Sequence, residues 1–190
     1  MKIITSKNIT MQHPQAITIG KFDALHLGHI TLIEKTITYA KKLNIQSTVI
    51  TFHPSPITVL HNKPYKPILD DEQKIRILTD LGIDILIQYP FDKTFANISP
   101  DAFMELLFED LQCHALVVGE NFRFGRDKRG ETSMLTNKGK NYGVIVDIVK
   151  NIELDGNTVS SSYIRKAIEN NNIQLAERLL GRELGLNTRS

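Results

Sequence analysis

The chain has 190 residues, 41% apolar and 23% charged, with a net charge of +2, which suits one large domain with a sizeable core. So near-even a charge balance excludes a chain built around a basic nucleic-acid surface, and a single cysteine, Cys113, excludes an internal disulfide framework. Residues 1–7 lack the apolar core of a signal peptide and no apolar run approaches a membrane span, so the expectation is a cytoplasmic chain with neither membrane nor nucleic acid as partner.

Residues 1–16 read as a short strand or arm and a loop closed by His13-Pro14. Residues 17–20 form the first core strand. The spacing of Leu27, Ile30, Ile33, Ile37 and Ala40 predicts a helix that closes near Lys41, Lys42 and Asn44. The β-branched run 46–52 is a second core strand, stopped by Pro54 and Pro56. Residues 57–69 read as a mobile excursion. Asp70 with Gln73 resembles a capping box for a short helix that Gly82 ends. Residues 84–89 are a third strand, and Ser99-Pro100-Asp101 opens a helix to about Leu111. A fourth strand, 115–119, leads into the 120–130 turn, a helix over 131–142 and a fifth strand over 144–149. A hairpin arm about Asp155-Gly156-Asn157 and helices at 160–169 and 174–180 complete the chain. Apolar strands alternating with helices predict an α/β fold, a parallel sheet with helices on both faces. Ligands of such sheets sit at the carboxyl ends of the strands, where the strand order switches.

Three stretches carry chemistry. In the first, Gly20 to His29, two histidines three residues apart stand where a helix begins, with Gly28 leaving the backbone open to a ligand. Imidazoles beside free helix N–H groups stabilise negative charge on phosphorus. The plainer reading is one capping and one core histidine. Zinc would need further ligands, and Cys113, His53 and His114 lack ligand spacing. In the second, Ser160, Ser161 and Ser162 set hydroxyls over a helix N-terminus, with Arg165 a turn further on, against the alternative of a capped surface helix. In the third, Phe122 and Phe124 alternate with polar groups after a strand and are followed by Arg126, Lys128 and Arg129. They read as a pocket wall with a basic rim, or as anchors of a folded-back loop.

Gly20-x-Phe22-Asp23-x-x-His26-x-Gly28-His29 resembles the nucleotidyltransferase signature. Adding Thr51-Phe52-x-Pro54-x-Pro56, Val118-Gly119-x-x-Phe122-x-Phe124-Gly125 and Ser160-Ser161-Ser162-x-Ile164-Arg165, the chain resembles, over about residues 15–182, the adenylyltransferase module of bacterial riboflavin kinase/FMN adenylyltransferases. The resemblance implies a Rossmann-like nucleotidyltransferase fold. It also implies ATP and FMN as substrates with Mg²⁺, and the reaction FMN + ATP to FAD and pyrophosphate. Gly20, Phe22, Asp23, His26, Gly28 and His29 then line the ATP side; Ser160, Ser161 and Arg165 hold its β- and γ-phosphates; His26, His29 and Arg165 are the catalytic set. Asn121 lies near ATP and the magnesium ion. Phe52, Pro54, Pro56, Phe122 and Phe124 face the flavin.

The chain departs from the family pattern at three points. Ala24 replaces a glycine, and a positive φ there would strain the turn. Ser162 replaces a threonine and keeps its hydroxyl. Leu179-Leu180-Gly181-Arg182 marks where the family continues into a riboflavin kinase barrel, so the expected division is an adenylyltransferase domain over 1–182 and a tail over 183–190 without a kinase module. Two other readings stand beside this one: a nucleotidyltransferase with another phosphorylated acceptor, and a non-catalytic flavin or nucleotide sensor.

Overall fold

The computed structural model describes residues 1–61 and 65–184. In chain order its elements are β1 (Lys2–Ile4), β2 (Gln15–Ile19), α1 (Leu27–Leu43), β3 (Gln46–His53), α2 (Pro56–His61), α3 (Asp71–Asp80), β4 (Ile85–Pro90), α4 (Lys93–Ala96) and α5 (Pro100–Glu105). A π-helical turn, Leu106–Asp110, extends α5. Then come β5 (Cys113–Gly119), β6 (Arg123–Phe124), β7 (Gly130–Glu131), α6 (Thr132–Asn141), β8 (Ile145–Val149), β9 (Glu153–Leu154), β10 (Asn157–Thr158), α7 (Ser161–Glu169) and α8 (Ile173–Leu180).

Six strands form one parallel sheet in the order β1-β4-β3-β2-β5-β8. Every residue of β2 is buried, as its central place in the sheet requires, including the polar Gln15 and Thr18. Alternate side chains serve opposite faces. Val49 and Leu86 pack with Ile33 of α1 and Leu78 of α3. Ile50, Ile85 and Ile87 pack with Phe103 and Met104 of α5 and Leu135 of α6. The sheet is thus covered on both faces, as expected.

Polar contacts clamp the amino edge of the sheet. Thr48 Oγ1 donates to Gln15 Oε1 at 2.7 Å, and both residues are fully buried. Asp84 Oδ2 accepts from the backbone N–H and the hydroxyl of Ser47, each at 2.8 Å. At the other edge the chain leaves β2 through α1 toward β3, while β5 returns on the opposite side of β2. Gly20 and Gly119 therefore bracket the switch in strand order.

The capping box predicted at Asp70 and Gln73 is present, as are the Ser99 and Ser160 caps. Several readings need correction. The excursion at 57–69 begins as helix α2, whose first residue, Pro56, sits where a helix needs no N–H; residues 62–64 of that excursion lie outside the described residues. The helix expected to run unbroken to Leu111 changes to π hydrogen bonding at Leu106. The 120–130 turn contains the β6–β7 hairpin, and α4 follows β4; such short elements carry no periodic signal.

Candidate active site

His26 is the N-cap of α1, not its first turn. Its Nδ1 accepts the His29 N–H at 3.4 Å, which places the ring proton on Nε2. The two imidazoles stack with centroids 3.7 Å apart, and the edge of Phe22 meets His29 at 5.1 Å. Burial, reinforced by the Arg182 charge and opposed by Asp23, lowers His26 to about pKa 4. Burial also holds His29 well below the ordinary histidine value, with His26 and Lys21 adding to the effect. Both rings are therefore neutral at pH 7. His29 Nδ1 is buried and has no hydrogen-bond partner among the described residues. A Cβ on Gly28 would stand 3.3 Å from His26 Cε1, so the missing side chain also makes room for the imidazole.

The turn before the histidines is tied to β3 through its backbone. Gly20 N–H donates to Ile50 O at 3.1 Å, and Thr51 Oγ1 donates to Lys21 O at 3.1 Å. The left-handed φ values fall on Phe22 (46°) and Leu25 (45°), not on Ala24. The strain feared at Ala24 is absent. Its methyl is fully buried against Val159, Ile164, Ala167, Ala176, Leu179 and Leu180.

Asp23 joins the Gly20–His29 stretch to the Ser160–Arg165 stretch. It is 4% exposed and accepts from the Tyr65 hydroxyl at 2.6 Å, the Ile68 N–H at 3.1 Å and Arg165 Nη2 at 3.0 Å. Arg165 also donates to Lys66 O at 3.0 Å and lies over the Tyr65 ring. Burial, helped by the Asp23 hydrogen bond, pushes the Tyr65 phenol up to about 12, so it stays a donor. The structure thus brings Asp23 and Arg165 together, but as partners of each other. A cleft of about 360 Å³, lined in part by Lys66, Ile68, Arg165 and Arg182, opens between the 66–69 segment and the α7–α8 pair. Ser160 caps α7 by accepting from the Tyr163 N–H at 3.2 Å, and Ser161 is half-buried at the first helical position.

The aromatic residues expected to face a planar ligand belong to one continuous array. Phe52 meets Phe91 at 5.5 Å and Phe95 at 5.9 Å; Phe95 meets Phe103 at 6.3 Å; Phe103 meets Phe122 at 6.4 Å and Phe124 at 4.9 Å. Phe52 and Phe122 are half-buried, whereas Phe124 is buried in the core and backs the wall without lining it. Pro54 is exposed just beyond β3, and Pro56 opens α2. Asn121 and Glu120 are exposed beyond β5, where Glu120 Oε1 accepts the Asn151 N–H at 2.8 Å.

Sequence reasoning missed Tyr65, Phe91, Phe95, Phe103 and Arg182. Only Arg182 carried a signal, since it sits in a quoted motif that was read as a boundary.

Comparison with known proteins identifies the lineage. The FAD synthetase family matches residues 8–163. The bifunctional riboflavin kinase/FMN adenylyltransferase of Haemophilus influenzae is 36% identical over 170 residues, covering 88% of this chain and 55% of that protein. The chain spans little more than half the length of the curated relatives it matches. The crystal structure of a macrolide-efflux protein from Streptococcus pneumoniae superposes with a TM-score of 0.82 at 28% identity, covering 97% of this chain and 63% of that one. Among the described residues no helix is long and apolar enough to cross a membrane. Pantothenate synthetase from Thermus thermophilus shares the fold, with a TM-score of 0.55 at 15% identity over 95% of this chain and 81% of that one.

Proposed function

Because the chain belongs to the FAD synthetase family, we propose that it transfers the adenylyl group of ATP to FMN. A phosphate oxygen of FMN attacks the α-phosphorus of ATP in line. The bond from that phosphorus to the β-phosphate bridge breaks, and pyrophosphate leaves. The attacking phosphate is already an anion, so no general base is required; positioning and electrostatic stabilisation carry the catalysis.

The observation that carries this reading is the meeting of Asp23 and Arg165, which ties the turn before α1 to α7. Gly20, Gly28 and the two histidines form the α-phosphate side; Phe22, expected to line it, is fully buried and backs His29 from the core instead. His26, neutral with its proton on Nε2, donates to an α-phosphate oxygen, and His29 stands stacked beside it. Ser160, Ser161 and Arg165 take the β- and γ-phosphates, with Asp23 aligning the arginine until the nucleotide arrives. Phe52, Pro54, Pro56 and Phe122 border the isoalloxazine, and Phe124 supports them.

Magnesium fits this donor set as an ion that travels with the nucleotide. Among the described residues no group of three or more His, Cys, Asp or Glu is gathered to cage a metal, while the Asn121 amide stands exposed at the switch. Asn121 would help hold the ion beside the phosphates, and the ion would supply charge neutralisation of the leaving pyrophosphate. The same reading puts the chain's place of work in the cytoplasm.

The test is FAD formation, followed by chromatography and pyrophosphate release, with FMN, ATP and Mg²⁺. Parallel reactions replace FMN by riboflavin or by other phosphorylated acceptors. FAD from FMN alone is the expected result. Preference for another phosphorylated acceptor, or tight binding of both substrates without FAD, would overturn it.

A further inference from the structure

We propose that Arg182 is a positioning residue of the phosphate turn, a role that rests on the reading of that turn as the ATP grip. Its guanidinium reaches from the end of α8 to the two peptide groups that precede His26. Nη1 donates to Leu25 O and Nη2 to Ala24 O, both at 2.6 Å. Ala24 and Leu25 are fully buried, so these carbonyls need an internal partner. Leu25 has a φ of 45°, a conformation that a leucine holds only where its surroundings dictate it. The next residue is the cap histidine. Two parallel bonds from one rigid fork set the orientation of both peptide planes, whereas an ammonium group offers a single point of attachment.

The platform that carries Arg182 is itself tightly placed. Gly181 caps α8 with a φ of 69° and donates its N–H to Glu177 O at 2.8 Å. A Cβ on Gly181 would lie 2.5 Å from Leu27 Cδ2, so the end of α8 rests directly on the first residue of α1. Ala176, Leu179 and Leu180 of α8 pack on the Ala24 methyl. The turn is consequently held from two directions: at Asp23 by Arg165 of α7, and at Ala24 and Leu25 by Arg182. Of these two arginines, Arg165 faces the site, while Arg182 acts through backbone it touches.

The experiment compares Arg182→Ala and Arg182→Lys with the wild-type chain. Arg182→Ala is expected to lower kcat about 100-fold, the scale of a small misplacement of a reacting group, and to leave the KM for FMN within about twofold. Arg182→Lys should fall between the two, and low-millimolar guanidinium should restore part of the Arg182→Ala activity. Unchanged kcat in Arg182→Ala overturns the proposal. So does a loss shared equally by kcat and the FMN KM with no guanidinium rescue. Should Arg182→Ala fail to fold, wild-type kcat in Arg182→Lys overturns it. Hydrogen exchange supplies a readout independent of turnover: faster exchange confined to the amides of residues 26–30 in Arg182→Lys supports the role, and unchanged exchange there overturns it. If the wild-type chain makes no FAD, the functional reading falls, and the exchange measurement still decides Arg182.

Discussion

Arg165 and Asp23 are 142 positions apart in the chain, yet the guanidinium and the carboxylate meet at 3.0 Å. The carboxylate is 4% exposed and the arginine side chain 33% exposed, so one member of the pair faces the interior and the other the solvent. An ATP that claims Arg165 must therefore compete with a buried anion.

Removing the guanidinium should affect binding and stability separately. Arg165→Ala is expected to weaken ATP by about 1.5–3 kcal/mol, the worth of a charge-assisted bond. It should also destabilise the fold by about 2 kcal/mol, less than for a wholly abandoned buried charge because the Tyr65 hydroxyl and the Ile68 N–H still serve Asp23. Adding Asp23→Asn should restore the stability in urea titrations without restoring the ATP KM.

His29→Ala should lower kcat about 100-fold while the KM for FMN moves by no more than about twofold, since the ring stands at the phosphate turn and not in the aromatic array. Steady-state kinetics with FMN varied at saturating ATP distinguishes the two effects. Turnover equal to the wild type would remove His29 from the chemistry.

Acid should unfold this chain through its buried imidazoles. His26 is lowered from 6.5 to about 4, so the unfolded chain binds a proton across that interval that the native state refuses. Stability from this group is complete above pH 6.5 and is lost as pH falls toward 4, by about 3 kcal/mol. His29 is lowered too and acts in the same direction. Urea midpoints between pH 4 and 7 measure the slope, and His26→Gln should flatten it.

Ala24→Gly should destabilise by about 1 kcal/mol, from the lost buried methyl and the added freedom of the unfolded chain. The opposite sign would be expected if the alanine were strained, and thermal melts of the two proteins separate the cases.

The fate of Ala24 shows where sequence reading stops. The pattern identified a missing glycine, but only the backbone shows that the left-handed residues are Phe22 and Leu25. Long signals were legible: the α1 stripe, the apolar strands, and the Asp70, Ser99 and Ser160 caps all depend on residues within a few positions of each other. So was the family, carried by four ordered motifs. What escaped was assembled across distance. Tyr65 on Asp23, Arg182 on Ala24 and Leu25, and the bridge of Phe91, Phe95 and Phe103 between the two aromatic loops are contacts without local periodicity. The Asp23–Arg165 pair belongs with these, because the family pattern put each residue beside ATP and nothing local in the sequence put it beside the other.

The clamp at the amino edge of the sheet has a practical consequence. Gln15 with Thr48 and Ser47 with Asp84 lock β2, β3 and the start of β4 in register at the end of β3 opposite the 53–56 loop. Register is therefore written at the margin away from the 53–56 loop, and an engineer can rebuild that loop without the scaffold having to relearn how its strands pair.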